Sequence, residues 1–204
     1  FALFDISSPT SIPSPTTLEL GVDVYASAID PREEFAALAS NNNSQEVLLV
    51  ELSSFTLDES VNVDGNDNGN AVEIFGGYLF LGSDADSEDL EIFSSGVSGW
   101  SVPSLISSTN KSGTQNVSEI DIGGDYAYFV TTNSSDELYI YDISTPSSPT
   151  YLGSIDIGGT VYGIDVEGSY AYLATSHNSR ELDIIDISTK TSPVRVGSLN
   201  LSRA

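Results

Sequence analysis

The chain of 204 residues has no cysteine and no methionine, a single tryptophan, a single histidine, and six Lys and Arg in all. Without cysteine, disulfides, thiolate nucleophiles and soft-metal sites are excluded. The lone imidazole, His177, sits in an HNSR turn with no Ser or Asp arranged around it, which reads as a solvent-facing turn residue rather than a base or ligand. The few basic residues stand against 30 Asp and Glu, a formal charge of −24. That field repels nucleic acid and anionic membrane faces, attracts cations, and is better tolerated where salt or calcium screens it. No apolar run approaches the roughly 18 residues needed to span a bilayer, so direct membrane insertion by a helix is excluded as well. Starting at Phe1, without initiator Met or signal peptide, the chain is expected to be processed or to be a piece of a longer polypeptide.

What is present is a repeat. The phrases FALFDIS, EVLLVELS, DLEIFSS, ELYIYDIS and ELDIIDIS recur every 43–48 residues, a period that suits one four-stranded propeller blade. Hydrophobic residues make up 39% of the chain, ample for one domain over 1–204. In the last two copies, residues 117–157 and 161–201, four strands can be read. A short a strand over 120–122 or 164–166 meets a glycine turn. Next come a b strand, YAYFV or YAYLA, and a polar tip. The c strand is LYIYDI or LDIIDI, and a Ser/Thr/Pro segment leads to the d strand. The third copy has b over 78–81 and c over 90–93. The second reads as an a strand over 22–25, an enlarged turn over 26–34, then FAALA and VLLVEL. The first supplies only c and a d strand near 17–20.

The fold class is therefore all-β: a β-propeller of four-stranded antiparallel blades, about four and a half in this chain. Residues 1–20 form the half blade, and 21–70, 71–116, 117–160 and 161–204 the full ones. The half blade leaves an open edge, which calls for further strands from the same polypeptide or from a neighbouring chain.

The phrase DISTPSSPTYLGS at 142–154, with the SYAYLA-type b strands and ELDIIDIS, resembles the LVIVD repeat family of β-propeller proteins. The resemblance is close over 117–201 and looser over 1–116, where the Pro146 and Pro149 pair is missing from copies two and three. It implies a propeller secreted from, or held at the surface of, a bacterium or archaeon. It implies no defined reaction and no catalytic residues.

Residues 63–73, VDGNDNGNAVE, set Asp64, Asn66 and Asn68 at alternate positions before Gly69, as in the first half of a calcium loop. Phe75 stands where an EF-hand needs its bidentate Glu, so Glu73 is the candidate to close a different, strand-flanked site. A plain polar turn uses the same residue types, and both readings stand. The same choice, weak divalent site or solvated tip, applies to Asp84, Asp86, Glu88 and Asp89 in the turn at 83–89.

Asn42, Asn110, Asn116, Asn133 and Asn200 open N-x-S/T sequons and are candidate glycosylation sites, Asn42 and Asn133 both at b-to-c tips. Trp100 offers a stacking surface for a sugar or partner, or packs on its own blade. Tyr126, Tyr128, Tyr170 and Tyr172 are expected to pack between sheets. Asp5, Asp142 and Asp186 recur at the end of c and are expected to hold the turn into d.

Three function classes follow. The first is a non-enzymatic extracellular or cell-surface propeller, an interaction or assembly module that binds other protein chains and builds a larger surface structure or filament. The second is a calcium-supported propeller binding a glycan through Asp64, Asn66, Asn68 and Trp100. The third, a polysaccharide-acting enzyme, has least behind it, because one histidine and dispersed carboxylates offer no assembled machinery.

Overall fold

The computed structural model describes residues 1–4, 11, 13–30, 34–63, 67–84, 88–94, 103–111, 116–132 and 135–201. Their regular structure is entirely β. The half blade is the pair β1 (Ala2–Leu3) and β2 (Thr16–Thr17), antiparallel with Ala2 opposite Thr17. Blade B follows with β3 (Val24–Ile29), β4 (Phe35–Ser40), β5 (Val47–Glu51) and β6 (Thr56–Val61). Blade C holds β7 (Gly69–Phe75), β8 (Tyr78–Ser83), β9 (Leu90–Ser94) and β10 (Ser104–Thr109). Blade D holds β11 (Val117–Gly123), β12 (Tyr126–Thr131), β13 (Leu138–Asp142) and β14 (Thr150–Ile155). Blade E closes the series with β15 (Val161–Glu167), β16 (Tyr170–Thr175), β17 (Leu182–Asp186) and β18 (Val194–Leu199). Each blade is an antiparallel meander whose strand order follows the chain.

The first strands are longer than the sequence suggests. β11 and β15 run from Val117 and Val161 because a bulge after the first residue lets the strand enter the ladder early without breaking its register. In blade B the same bulge lies between Val24 and Ala26, and β3 continues through Ile29 into what reads as an enlarged turn. Small Ala26 and Ala28 allow this, pairing with Ala39 and Ala37 of β4. Blade C likewise begins at Gly69, two residues before the expected boundary, and in the half blade pairing starts at Thr16. Gly124 and Gly168 turn a into b with φ of 63° and 61°, a left-handed conformation that costs a side-chain-bearing residue strain.

Alternation along b and c presents two apolar faces per blade, and neighbouring blades pack face to face. Ala37, Ala39, Val47 and Leu49 of blade B meet Leu79, Leu81 and Phe93 of blade C. Phe80, Leu90 and Ile92 of blade C meet Ala127, Phe129 and Tyr141 of blade D. Tyr128, Val130, Leu138 and Ile140 of blade D meet Ala171, Leu173, Ile185 and Ile187 of blade E. The half blade covers one face of blade B: Leu18 and Leu20 lie against Leu38, Leu48 and Val50, and the Phe1 ring lies tilted beside Phe55 at 5.6 Å. The strands β3, β7, β11 and β15 lie side by side along the inner edge.

Candidate functional site

Because the first strands adjoin, residues at one register position line up across blades. Ala28, Glu73, Asp121 and Asp165 pair with Ala37, Phe80, Tyr128 and Tyr172 in their respective blades, and Glu119 lies two residues before Asp121. The result is a row of carboxylates on the inner strands. Burial holds Glu73 above the ordinary carboxylate range, and the nearby Asp121 and Glu119 push it further. Glu119 is raised for the same two reasons, burial first and Asp121 second among the raising effects. Asp121 is raised by burial and by Asp165, although it accepts the Val166 N–H at 2.5 Å from the next blade. This crowding gives carboxyl groups that hold their protons above their usual pH, with no histidine beside them. His177 lies in the b-to-c tip of blade E, where its Nδ1 is 3.2 Å from the Ser179 hydroxyl.

Of the calcium-loop candidates, Asp64 and Asn66 lie outside the described residues. The Asn68 N–H donates to Asp84 Oδ1, its Nδ2 donates to Asp84 Oδ2 at 2.8 Å, and the Asp84 N–H donates to the Asn68 carbonyl at 3.2 Å. Asn68, just before β7, is thereby tied to Asp84, just after β8 of the same blade. Glu73 is not brought to them. It sits five residues along β7, roughly 16 Å away at strand rise, in the inner carboxylate row. Among the described residues no group of three or more His, Asp or Glu is arranged to hold a metal ion.

Of the sequons, Asn110, Asn116 and Asn200 are exposed, and Asn133 lies outside the described residues. Asn42 is half-buried: its Nδ2, the atom a glycan would join, donates to Gln45 Oε1 at 3.0 Å. It borders an open polar cleft of about 830 Å³ between the half blade and blade B, lined also by Glu19, Asp23 and Asn41. Trp100 lies outside the described residues. Tyr128 is buried between blades as expected; its counterpart Tyr172 is half-buried, as is Tyr126, whereas Tyr170 is 42% exposed.

The recurring carboxylates at the end of c hold turns. Asp142 Oδ1 accepts the Ser144 N–H and hydroxyl at 2.9 and 2.6 Å, and Asp186 Oδ1 accepts the Ser188 N–H at 2.8 Å. These bonds draw both carboxyls below the usual range. Asp5 lies outside the described residues.

Two features are not visible in the repeat phrases alone. The acid just before each c strand clamps the chain leaving d: Glu46 takes the Val63 N–H at 2.9 Å, Glu137 the Ile157 N–H at 2.6 Å, and Glu181 the Leu201 N–H at 2.9 Å. Its signal is an acid at a fixed place in every tip, NNSQE, SSDE and HNSRE. The second is Asp183, fully buried between blades D and E. Arg195 Nε and Arg180 Nη1 lie 3.1 and 3.5 Å from its Oδ2, as ion pairs rather than aligned hydrogen bonds. Both arginines also donate to the Ile157 carbonyl, at 2.7 and 3.2 Å. An acid where blade D has Tyr139 and blade B has Leu48 is the mark that betrays it.

Meandering four-stranded blades joined through their inner strands define a blade-repeat protein of the β-propeller class. Residues 115–157 and 158–200 each match the LVIVD repeat, so blades D and E are two tandem LVIVD repeats. No curated protein matches the chain. Among solved structures it is similar to a proposed 6-phosphogluconolactonase from Bacteroides uniformis ATCC 8492, with 10% identity over 98% of this chain and 65% of that one, TM-score 0.76. A functionally unknown protein from Desulfotomaculum acetoxidans DSM 771 aligns at 15% identity over 92% of this chain and 59% of its own, TM-score 0.70. The computationally designed Ika4 protein aligns at 7% identity over 83% and 94%, TM-score 0.61. The chain thus spans less than two thirds of the two natural structures. At such identities the likeness is one of fold.

Proposed function

We propose that this chain is a non-enzymatic β-propeller module, extracellular or at the cell surface of a bacterium or archaeon, that works by binding other protein chains in a larger surface structure. The observation that carries this reading is the contrast between its polar and apolar groups. Polar side chains that recur from blade to blade, such as Asp142, Asp186, Glu137 and Glu181, hold backbone turns and strand exits. Large apolar side chains meanwhile stand exposed within the blade series: Leu105 at 53%, Leu57 at 41% and Phe75 at 41%. Apolar surface of that extent is what interaction surfaces present. Native mass spectrometry of the protein recovered from its source, before and after denaturation, tests this: a complex that separates into this chain and others is expected. A parallel screen covers polysaccharides and phosphorylated sugar lactones, the latter because of the Bacteroides neighbour's name. A lone monomer that turns over one of these substrates would overturn the reading.

A second reading, calcium-supported glycan binding, draws on the pairing of Asn68 with Asp84, which joins two of the candidate oxygen ligands. Calorimetry with calcium alone tests it, followed by glycan titration with and without chelator. No heat at millimolar calcium would dismiss it.

A further inference from the structure

A cavity of about 350 Å³ opens at the seam between blades D and E, with Gly123, Tyr126, Tyr128 and Lys190 in its lining. Its volume falls within the usual range of ligand clefts, roughly 300–1,000 Å³. One seam earlier, between blades C and D, the corresponding space is about 230 Å³ and is lined by Phe75, Phe80 and Pro146. By strand register Phe75 corresponds to Gly123 and Phe80 to Tyr128, and by the DISTP and DISTK phrases Pro146 corresponds to Lys190. The three replacements act in one sense: a ring is removed, a hydroxyl is added and a cation is added. Packing between blades is already met by the apolar set at the C–D seam, so it does not call for the polar one.

The added polar groups are donors. Tyr128 is 1% exposed, and among the described residues nothing accepts a hydrogen bond from its hydroxyl. Burial pushes its pKa up to about 12, so the phenol keeps its proton. A buried hydroxyl without an acceptor costs stability, and a bound acceptor would remove that cost. The Lys190 ammonium lies 4.9 and 5.5 Å from the Tyr126 and Tyr128 ring centres and donates to the Ile187 carbonyl at 2.8 Å. That bond uses one of its three N–H groups. Burial lowers its pKa, and an anion brought beside it would relieve the penalty. Two acids set the limit, because Asp186 acts on Lys190 and Asp121 on Tyr128. A single ammonium with carboxylates nearby suits one negative charge and opposes a dianion such as phosphate. We infer that the seam between blades D and E binds a small monocarboxylate, of about the size of a sugar acid, whose carboxylate accepts from the Tyr128 hydroxyl and the Lys190 ammonium. This goes beyond the assembly reading and needs no second chain.

The test titrates glucuronate into the whole chain by calorimetry, with a calcium chelator present so that the acidic loop of blade C takes no part. Glucose serves as the neutral control and inorganic phosphate as the more highly charged one. Saturable binding of glucuronate at millimolar concentration is expected, with glucose and phosphate each weaker by about tenfold or more. Tyr128→Phe removes only the hydroxyl. It should weaken glucuronate about tenfold without lowering Tm, since that hydroxyl has no hydrogen-bond partner to lose. Lys190→Gln should weaken binding at least as much, and Lys190→Arg, which keeps the charge, should bind more tightly than Lys190→Gln. Where Lys190→Gln loses the wild-type circular dichroism, Tyr128→Phe decides alone. No heat with glucuronate overturns the proposal, as does equal binding of glucose or phosphate, or glucuronate binding that Tyr128→Phe leaves unchanged.

Discussion

Glu137 shows how one carboxylate can serve a fold and oppose it at once. Its Oε2 accepts the Ile157 N–H at 2.6 Å and the Gly158 N–H at 3.3 Å, yet burial raises its pKa. Removing the acceptor leaves donors unsatisfied, so Glu137→Ala is expected to cost about 2 kcal/mol in urea unfolding. Glu137→Gln, which keeps an oxygen, should cost clearly less. Equal losses in the two variants would show that the charge, not the acceptor, matters. Glu46, Glu73, Glu119 and Asp121 are raised with it, each chiefly by burial. A raised folded pKa means the native state binds protons more tightly than the unfolded chain. Stability therefore falls as pH climbs from the ordinary 4.5 of glutamate through the folded values. Acidification from neutrality to about pH 5 should raise Tm, and a Tm that drops steadily over that range would contradict the burial of these groups. Asp142 and Asp186, held low by Ser144 and Ser188, work in the opposite sense, and their contribution is lost only as pH falls below the ordinary 3.8 of aspartate.

Between blades the decisive contacts are close backbone approaches as much as apolar faces. Gly153→Ala places a Cβ against the Lys190 carbonyl and the Thr191 backbone, which cannot swing aside as a side chain would. It is expected to destabilise by about 1–3 kcal/mol, whereas Gly197→Ala, whose nearest neighbours would be Ile184 side-chain atoms at an ordinary 3.4 Å or more, should change stability by under about 1 kcal/mol. Equal effects in thermal unfolding would mean that the D–E junction is looser than its geometry. Asp183 belongs to the same junction: Asp183→Ala removes the anion between Arg180 and Arg195, which stay part-exposed and keep the Ile157 carbonyl, and a loss of about 1–2 kcal/mol is expected in thermal unfolding.

Over the whole molecule the uncompensated charge dominates. With 30 acids against six bases, self-repulsion lowers stability at low ionic strength, so Tm should rise as sodium chloride is added. A flat or falling Tm in a calorimetric salt series would show that the repulsion is already relieved by bound cations. The same repulsion keeps copies apart in dilute salt.

The chain's own order of residues determined the repeat, the four-stranded blade, the Asp142 and Asp186 turns and the packing of Tyr128, because each is written in local alternation and in a period the strands must obey. It could not determine that β3 runs on through Ile29, since small alanines read as a turn until a partner strand pairs with them. Nor could it show that Glu73 lies in an inner carboxylate row, that Asn68 binds Asp84, or that Tyr170 is exposed where Tyr126 is half-buried. Those outcomes depend on which blades stand side by side, and identical residues meet different neighbours at the end of a series than within it.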